Sequence, residues 1–145
     1  MLMITYPEPE FRIKKENGKE FIFDSLRKKW IMLTPEEWVR QNFVQYLLQV
    51  KNYPASLIAI EKEIKLGELK KRFDILVYDS NHQPWMMIEC KAGTVKLDEK
   101  VLDQALRYNI SVPVEYIVIT NGEMTFAWKR DEGGLHLLEE IPGRN

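Results

Sequence analysis

The sequence predicts a mixed α/β fold of the α+β kind, with a central mixed β-sheet flanked by helices and an N-terminal β-hairpin. Short β-prone runs occupy both ends of the chain, and two stretches with helical signals lie between them, separated by three strand-like runs. The length of 145 residues suits one domain with a single core. We therefore expect residues 1–145 to form one domain, with an extended arm at 1–10 and a core at about 20–130.

A hairpin signal opens the folded part of the chain. Asn17-Gly18 lies between β-prone runs at 11–14 and 20–23, and this dipeptide favours a tight turn between two strands. Residues 30–33 predict another short strand. The arm at 1–10 has two prolines and no regular period, so we expect extended chain there.

The first helix has the clearest start signal. Thr34 suits the N-cap, Pro35 suits the first helical position, and Glu37 completes the capping-box pattern. We expect this helix to run to about residue 51, ahead of Pro54. Apolar side chains at helical spacing predict its buried face: Val39, Phe43, Tyr46, Leu47 and Val50.

Three strand-like runs include the most informative part of the sequence. Residues 58–66 alternate in polarity, which predicts four apolar side chains on one face: Ile58, Ile60, Ile64 and Leu66. Residues 72–78 and 85–91 are mostly apolar and predict two adjacent strands that pair through a polar turn at 79–84.

The C-terminal part predicts a helix followed by strands. Residues 98–110 form the second helical stretch, and the strongly β-prone run at 115–120 predicts a buried strand. Asn121-Gly122 turns the chain into a strand at 124–128, and residues 135–138 predict a last short strand.

The composition excludes several classes of protein. No apolar run approaches the roughly 18 residues of a membrane helix, and the N-terminus lacks the pattern of a signal peptide, so we expect a cytoplasmic protein with no membrane partner. The single cysteine excludes an internal disulfide, and no Cys/His pattern predicts a zinc site. Phosphate-loop and dinucleotide-binding fingerprints are absent as well.

Local charge is more informative than net charge. The net charge of −1 gives no overall basic signature for nucleic acid, yet Arg27-Lys28-Lys29 and Lys70-Lys71-Arg72 form two basic runs. Such runs are commonly solvated turns. The second run leads directly into Asp74, and a basic patch beside an acidic site would suit phosphodiester binding.

Charged residues interrupt the two central strands. Because strand side chains alternate between faces, Glu89 and Lys91 point the same way and Cys90 points to the other face. Pairing of the strands through their turn would bring Asp74 to the same end of the sheet. Since burying unpaired charge is strongly unfavourable, two carboxylates and one ammonium at this place predict either ion pairing or a metal.

Two interpretations of this trio stay open. Hard carboxylate oxygens suit Mg²⁺, and a lysine beside the metal could orient or deprotonate an attacking water. Alternatively, Lys91 only forms a salt bridge with one of the acids at a strand end. The spacing of the residues favours neither interpretation over the other.

The first helix offers a further acid. At about 100° per residue, Glu36 lies near the direction of Phe43 and Leu47, whereas Glu37 lies off that direction and is available for the capping box. Glu36 is therefore the better candidate for a functional acid directed at the sheet. Its place in the first turn equally suits a structural role, in which the acid stabilises the helix dipole.

The second helix carries polar candidates. Gln104 and Tyr108 are four residues apart and share a face, and Arg107 lies beside them. If that face is directed at the strand ends, the glutamine and tyrosine could hydrogen-bond a phosphate or hold Lys91. The alternative is an exposed polar face without a function.

These residues together resemble a known family. Asp74 with Glu89-Cys90-Lys91, behind an acidic helix, resembles the PD-(D/E)XK nuclease superfamily, although Phe73 stands in place of the proline in that name. The longer pattern is similar to the N-terminal nuclease domain of type I restriction enzyme R subunits over about residues 20–125. The segments that carry this similarity are 22–30, 34–41, 72–75, 88–92 and 104–109.

The resemblance implies a fold, a reaction and a set of metal ligands. The core would be restriction-endonuclease-like, and the chain would be an endonuclease that hydrolyses DNA phosphodiesters with Mg²⁺, or Mn²⁺ as a substitute. Asp74, Glu89 and the Cys90 main-chain carbonyl would bind the metal. Lys91 would position the water, and Glu36 would lie at the rim of the site.

The resemblance also implies contacts with DNA. Gln104 and Tyr108 would orient the DNA and the catalytic lysine, and Arg72 and Arg107 are further candidates for DNA binding. Subunits of a restriction or repair system are the partners that it suggests. The alternative is a catalytically inactive module of the same fold that binds nucleic acid or has a regulatory role.

Overall fold

The protein folds into two β-sheets and two α-helices within residues 1–144, the part that the computed structural model describes apart from the Leu66 side chain. A 3-10 turn at Ala55–Leu57 follows the first helix. The elements in chain order are β1 (Ile13–Glu16), β2 (Lys19–Asp24), β3 (Lys29–Met32), α1 (Pro35–Gln49), β4 (Ile58–Leu66), β5 (Leu69–Tyr78), β6 (Pro84–Cys90), α2 (Glu99–Asn109), β7 (Tyr116–Thr120), β8 (Thr125–Asp131) and β9 (Gly134–Leu137). The predicted fold class is confirmed.

The N-terminal strands form a separate antiparallel sheet in the order β1-β2-β3. Asn17 and Gly18 have positive φ angles of 52° and 77°, which a tight I′ hairpin turn requires, so the predicted hairpin is confirmed. The third strand pairs with this hairpin through Ile22 and Ile31 and not with the central sheet. Ile22 is fully buried, so one face of the small sheet packs on the body of the protein.

Helix α1 begins as its sequence predicts and ends slightly early. Thr34 Oγ1 accepts the main-chain N–H of Glu37 at 3.0 Å, and Pro35 occupies the first helical position. The last helical residue is Gln49, shortly before the expected residue 51. The Glu37 carboxylate bonds to arginine and glutamine side chains, so its predicted capping-box role is wrong.

The central sheet contains six strands in the order β4-β5-β6-β7-β8-β9. Neighbouring strands are antiparallel except for β6 and β7, which are parallel. Parallel strands need a long crossover connection, and α2 lies in that connection. The order of elements therefore produces a mixed sheet, as the sequence predicts.

The two helices cover opposite faces of the central sheet. Strand side chains that pack with α1 alternate with those that pack with α2. The α1 side of the core includes Phe43, Leu47, Ile75, Ile88 and Val118. The α2 side includes Leu76, Met87, Ala105, Ile117 and Ile119.

Strand β4 changes its orientation at Glu61. This residue has a left-handed φ of 54°, and the β4–β5 register skips it opposite Asp74. Ile60 packs into the core beside α1, whereas Ile64 packs into the core beside α2. The predicted single apolar face is therefore wrong, because a left-handed residue interrupts the extended backbone. The Leu66 part of that prediction lies outside the described side chains.

The arm at 1–10 docks by side chains and one main-chain bridge. The Leu2 N–H donates to the Thr125 carbonyl at 2.8 Å, and Leu2 is 2% exposed. Ile4 and Tyr6 pack against the core beside α1. Nowhere in residues 1–144 does a helix combine the length and the apolar character needed to cross a membrane.

Candidate active site

The predicted acids lie where β5 and β6 meet. The antiparallel pairing of these strands ends one position short of Asp74 and Glu89, which its continuation would set opposite each other. In place of a main-chain ladder bond, Asp74 Oδ2 accepts the main-chain N–H of Cys90 at 2.8 Å. Asp74 therefore lies beside the segment that carries Glu89 and Lys91.

Glu89 and Lys91 line a cavity of about 270 Å³ beside α2. Gln104 and Tyr108 line the same cavity, so the polar face of α2 is directed at the end of β6. Lys91 Nζ lies 3.2 Å from Glu89 Oε2, which is the ion pair that one interpretation of the sequence predicts. The Lys91 side chain is 38% exposed, and an ion pair open to solvent holds its partners only weakly.

A buried amide orients the Glu89 carboxylate from its other side. Asn109 Nδ2 donates to Glu89 Oε1 at 3.3 Å and to the Ala105 carbonyl at 2.8 Å. Asn109 is 2% exposed. Because the amide is neutral, it fixes one oxygen of Glu89 without cancelling the negative charge.

A buried arginine of α1 holds the other acid. Arg40 Nη2 lies 2.8 Å from Asp74 Oδ1 and 2.9 Å from Glu61 Oε1, and Nη1 donates to Glu37. Burial acts to lower the pKa of Arg40, but the hydrogen bond to Asp74 and the charge of Glu37 outweigh it and raise that pKa above its ordinary value. The guanidinium is thus a permanent cation among acids.

Ion pairs connect Asp74 to the N-terminal sheet. Asp24 Oδ2 lies 2.6 Å from Arg27 Nε, and Arg27 Nη2 lies 3.0 Å from Glu37 Oε2. Glu37 then pairs with Arg40, which pairs with Asp74. The charges alternate in sign along this series, so each buried charge has an opposite neighbour.

Asp24 is the fully paired end of this series. The main-chain N–H groups of Leu26 and Arg27 each donate to its Oδ1 at 2.8 Å, and Gln41 Nε2 donates to its Oδ2 at 3.0 Å. Burial acts to raise the pKa of Asp24, but these bonds and the charge of Arg27 prevail and lower it. The network therefore favours the ionised carboxylate.

The structure separates the roles of the two glutamates that begin α1. The Glu37 side chain is 5% exposed and bonds Arg27, Arg40 and Gln41, whereas the Glu36 side chain is 49% exposed. The prediction that Glu36 is the acid directed inward is wrong, because Glu37 is the buried glutamate and Glu36 is half exposed. The segment that joins β2 to β3 covers the flank of the helix that carries Glu37.

Glu36 nevertheless lies near the candidate site. Partial burial and the negative charge of Asp74 raise the pKa of Glu36, while Arg40 and Lys91 act to lower it. Glu36 therefore interacts electrostatically with both Asp74 and Lys91. Arg40 Nη2 lies 3.8 Å from Glu36 Oε1 and 2.8 Å from Asp74 Oδ1, so one guanidinium contacts both acids.

The basic candidates fall in different places. Arg72 Nη2 lies 2.5 Å from Glu61 Oε2 and its side chain is 64% exposed. Arg107 is exposed and lines a shallow depression with Asp103, outside the cavity of Glu89 and its neighbours. The two arginines are thus available at the surface but do not line that cavity.

Lys71 is a buried cation that contacts Tyr108, one of the residues lining the cavity of Glu89 and Lys91. Lys71 Nζ lies 4.3 Å from the centre of the Tyr108 ring and donates to the Tyr108 main-chain carbonyl. Burial lowers the pKa of Lys71, and the charge of Glu89 acts against that shift. Lys71 therefore contacts both the ring and the main chain of Tyr108, although Tyr108 is 63% exposed.

The oxygen atoms beside Asp74 suit a hard cation. Across the described side chains, no three Asp, Glu, His or Cys residues form a group able to hold a metal by themselves. Mg²⁺ does not need such a group, since one or two carboxylates, waters and phosphate oxygens commonly complete its shell. The Cys90 N–H is directed at Asp74, and in a strand the carbonyl of a residue points to the same side as its N–H. Asp74, Glu89 and this carbonyl all offer oxygen atoms, the type of donor that Mg²⁺ prefers.

A comparison with protein families agrees with the resemblance found in the sequence. A family model described as the type I restriction enzyme R protein N terminus (HSDR_N) matches residues 35–142. The chain belongs to this family. The match includes every residue of the site from Glu36 to Tyr108, whereas β1, β2 and β3 precede it. No curated protein matches the chain.

Three residues at the site of this HSDR_N member were not predicted as functional. Arg40 lies four residues after Glu36 on the apolar stripe of α1, and a charge on such a stripe was an available signal. Asn109 lies four residues after Ala105 at the end of α2, a spacing that allows its bond to that carbonyl. Glu61 gave no signal, because its left-handed backbone is rare outside glycine.

Proposed function

We propose that this domain is a metal-dependent endonuclease that hydrolyses phosphodiester bonds of DNA, with a PD-(D/E)XK type of site. The main support is the hydrogen bond from the Cys90 N–H to Asp74, because it places one acid against the segment that carries Glu89 and Lys91. Membership of a restriction-enzyme family supports the same reaction class.

The metal would be held by Asp74, Glu89 and the Cys90 carbonyl. When bound, Mg²⁺ supplies positive charge for the phosphate in the transition state and lowers the pKa of a coordinated water. Asn109 holds Glu89 Oε1, and Arg40 holds Asp74 Oδ1. The second oxygens of the two acids contact the Cys90 N–H and Lys91 Nζ, so the metal would share or replace these contacts.

Lys91 is the candidate for positioning the attacking water. Its only recorded partner among the described residues is Glu89, at 3.2 Å, and the pair is open to solvent. Exposed ion pairs contribute about 0–1 kcal/mol, so the ammonium can exchange this contact for a water or a phosphate oxygen at little cost. Gln104 and Tyr108 supply the polar cavity wall along which the phosphodiester would lie.

A specific contact favours the alternative of a binding module without catalysis. Arg40 already bonds Asp74 Oδ1, and Asp74 Oδ2 already accepts the Cys90 N–H. If this arrangement persists in the presence of Mg²⁺, Asp74 has less capacity to hold the metal. Such a protein would still bind nucleic acid in a salt-sensitive way.

Nicking of supercoiled plasmid with Mg²⁺ or Mn²⁺ tests the proposal. Asp74→Asn, Glu89→Gln and Lys91→Met each remove one charge at the site with little change of shape. Asp103→Asn and Lys100→Met are matched controls, because these exposed residues lie on α2 outside the cavity.

We expect the wild type and both controls to nick the plasmid only when metal is present. Loss of a group that positions or activates water commonly costs about 10²- to 10⁴-fold in rate, and we expect at least the lower value for Lys91→Met. Equal nicking by all variants would show a contaminating nuclease and contradict the proposal. Metal-independent DNA binding without nicking would support the alternative.

A further inference from the structure

The N-terminal sheet has a solvent-facing side made of aromatic and basic residues. The antiparallel register sets Lys14, Phe21 and Met32 side by side, and the next row contains Arg12, Phe23 and Trp30. Residues directly opposite each other in neighbouring strands point to the same face. We name this face the outer platform, which consists of Arg12, Lys14, Phe21, Phe23, Trp30 and Met32.

The opposite face of the same sheet packs against the rest of the protein. Ile22 is fully buried, and Asp24 bonds Gln41 of α1 at 3.0 Å. The outer platform is the other face of the sheet, and at one edge Arg12 and Phe23 also line a cavity of about 220 Å³ with residues 7–11 and the α1 residue Gln41. The side chains of the outer platform are half-buried or exposed, and Met32 is 46% exposed.

Rings and cations are interleaved on the outer platform. Phe23 and Trp30 pack edge to face with centroids 5.4 Å apart. The Arg12 guanidinium lies 4.8 Å from the Phe23 centroid and 5.3 Å from the Trp30 centroid. Lys14 Nζ lies 4.6 Å from the Trp30 centroid. Each of these two rings thus has a cation beside it.

The charge of this region differs from that of the whole chain. Residues 11–33 contain seven Lys or Arg and three Asp or Glu, in a protein whose net charge is −1. An excess of positive charge beside exposed rings complements a polyanion that carries flat aromatic groups. The family model matches residues 35–142, which follow the three strands of this sheet.

We propose that the outer platform binds single-stranded nucleic acid, with bases stacked on Phe23 and Trp30 and phosphates paired with Arg12 and Lys14. Only unpaired bases present their faces to side chains, which favours a single strand over a duplex. A phosphate is a stronger partner for a guanidinium than a ring face, so the two cations can move from ring to phosphate when the strand binds.

Fluorescence anisotropy in EDTA tests this binding apart from catalysis. The probes are a labelled oligothymidine of about 12 nucleotides, a length in the range of known single-strand sites, and a duplex of the same length. We expect the single strand to bind more tightly. Trp30→Ala and Phe23→Ala should each weaken binding about 5- to 100-fold, and Trp30→Leu should do the same while keeping apolar bulk.

The salt dependence of binding tests the role of the cations. Arg12→Gln and Lys14→Gln should each reduce the slope of log affinity against log salt by about 0.7, the value for one phosphate contact on a single strand. Leu137→Ala and Lys129→Gln are matched controls. Both residues are at least partly exposed and lie on strands of the central sheet, so their variants should bind like the wild type.

The results can overturn the proposal in three ways. Equal affinity for duplex and single strand, or unchanged binding by the platform variants, would contradict it. Self-association that Trp30→Leu abolishes in sedimentation velocity would assign the face to a second copy of the chain. Because the assay contains no metal, it measures binding apart from the proposed nuclease reaction.

Discussion

Replacement of Arg40 is the perturbation whose effect the structure determines most directly. In Arg40→Met the side chain keeps much of its length but loses the cation that Glu37 and Asp74 share. The Arg40, Glu37 and Asp74 side chains are 6%, 5% and 19% exposed, so water cannot replace the lost contacts easily. Glu36 and Glu61 are more exposed, at 49% and 28%, so solvent screens most of the stabilisation that their ion pairs with Arg40 contribute.

The expected loss of unfolding free energy follows from the ion pairs of Arg40 with Glu37 and Asp74. Removing one partner of a buried ion pair costs about 3–5 kcal/mol, because an uncompensated charge remains. With a urea m-value of about 2 kcal/mol/M, the denaturation midpoint should fall by about 2 M. A loss of this size is a large part of the stability of a typical domain, which is about 5–15 kcal/mol.

Equilibrium urea unfolding followed by circular dichroism is the assay. Arg72→Met is the matched control, because Arg72 also pairs with Glu61 but is 64% exposed. We expect that control to stay within about 1 kcal/mol of the wild type. If Arg40→Met also stays within that limit, the series from Asp24 to Asp74 does not stabilise the fold and the reasoning fails.

Three further predictions concern stability in the same assay. The pKa of Asp24 is lowered in the folded state, so its ionised form stabilises the fold above the ordinary pKa of about 4. That contribution is lost as the pH falls further. The unfolding free energy of Asp24→Asn should therefore fall less than that of the wild type between about pH 6 and pH 3. Gly122→Ala should cost about 1–2 kcal/mol, because φ is +94° and the new Cβ would lie 3.4 Å from Val39 Cγ2, whereas Gly143→Ala meets open space and should be neutral. Asn109→Ala should lower the unfolding free energy by about 1–3 kcal/mol, because Glu89 Oε1 loses the donor that holds it and the buried amide contacts are lost.

Local signals were sufficient to predict most of the fold. Asn17-Gly18 fixed the hairpin through its positive φ angles, and Thr34 fixed the start of α1 through its bond to a main-chain N–H. The caps of α2 agree with the predicted limits of 98–110, since Asp98 and Ile110 are the capping residues. These features depend on neighbours within a few residues, which the sequence displays directly.

The site required information that local patterns do not contain. The Arg40–Asp74 bond joins residues 34 positions apart, so neither helical nor strand periodicity could pair them. The burial of Glu37 depends on Arg27, which reaches it from the other sheet. The angular spacing of residues along α1 indicated Glu36, because that spacing contains no information about side chains from other elements. The change of face at Glu61 depends on a backbone conformation that its residue type does not favour.

We propose that Asp74, Glu89 and the Cys90 carbonyl hold a divalent cation beside Lys91. A crystal soaked in Mn²⁺ and measured at the manganese absorption edge tests it directly. We predict one anomalous peak between the two carboxylates, about 2.0–2.3 Å from an oxygen of each. Manganese bound only elsewhere, with Asp74 still bonded to Arg40 and Cys90, would contradict the claim.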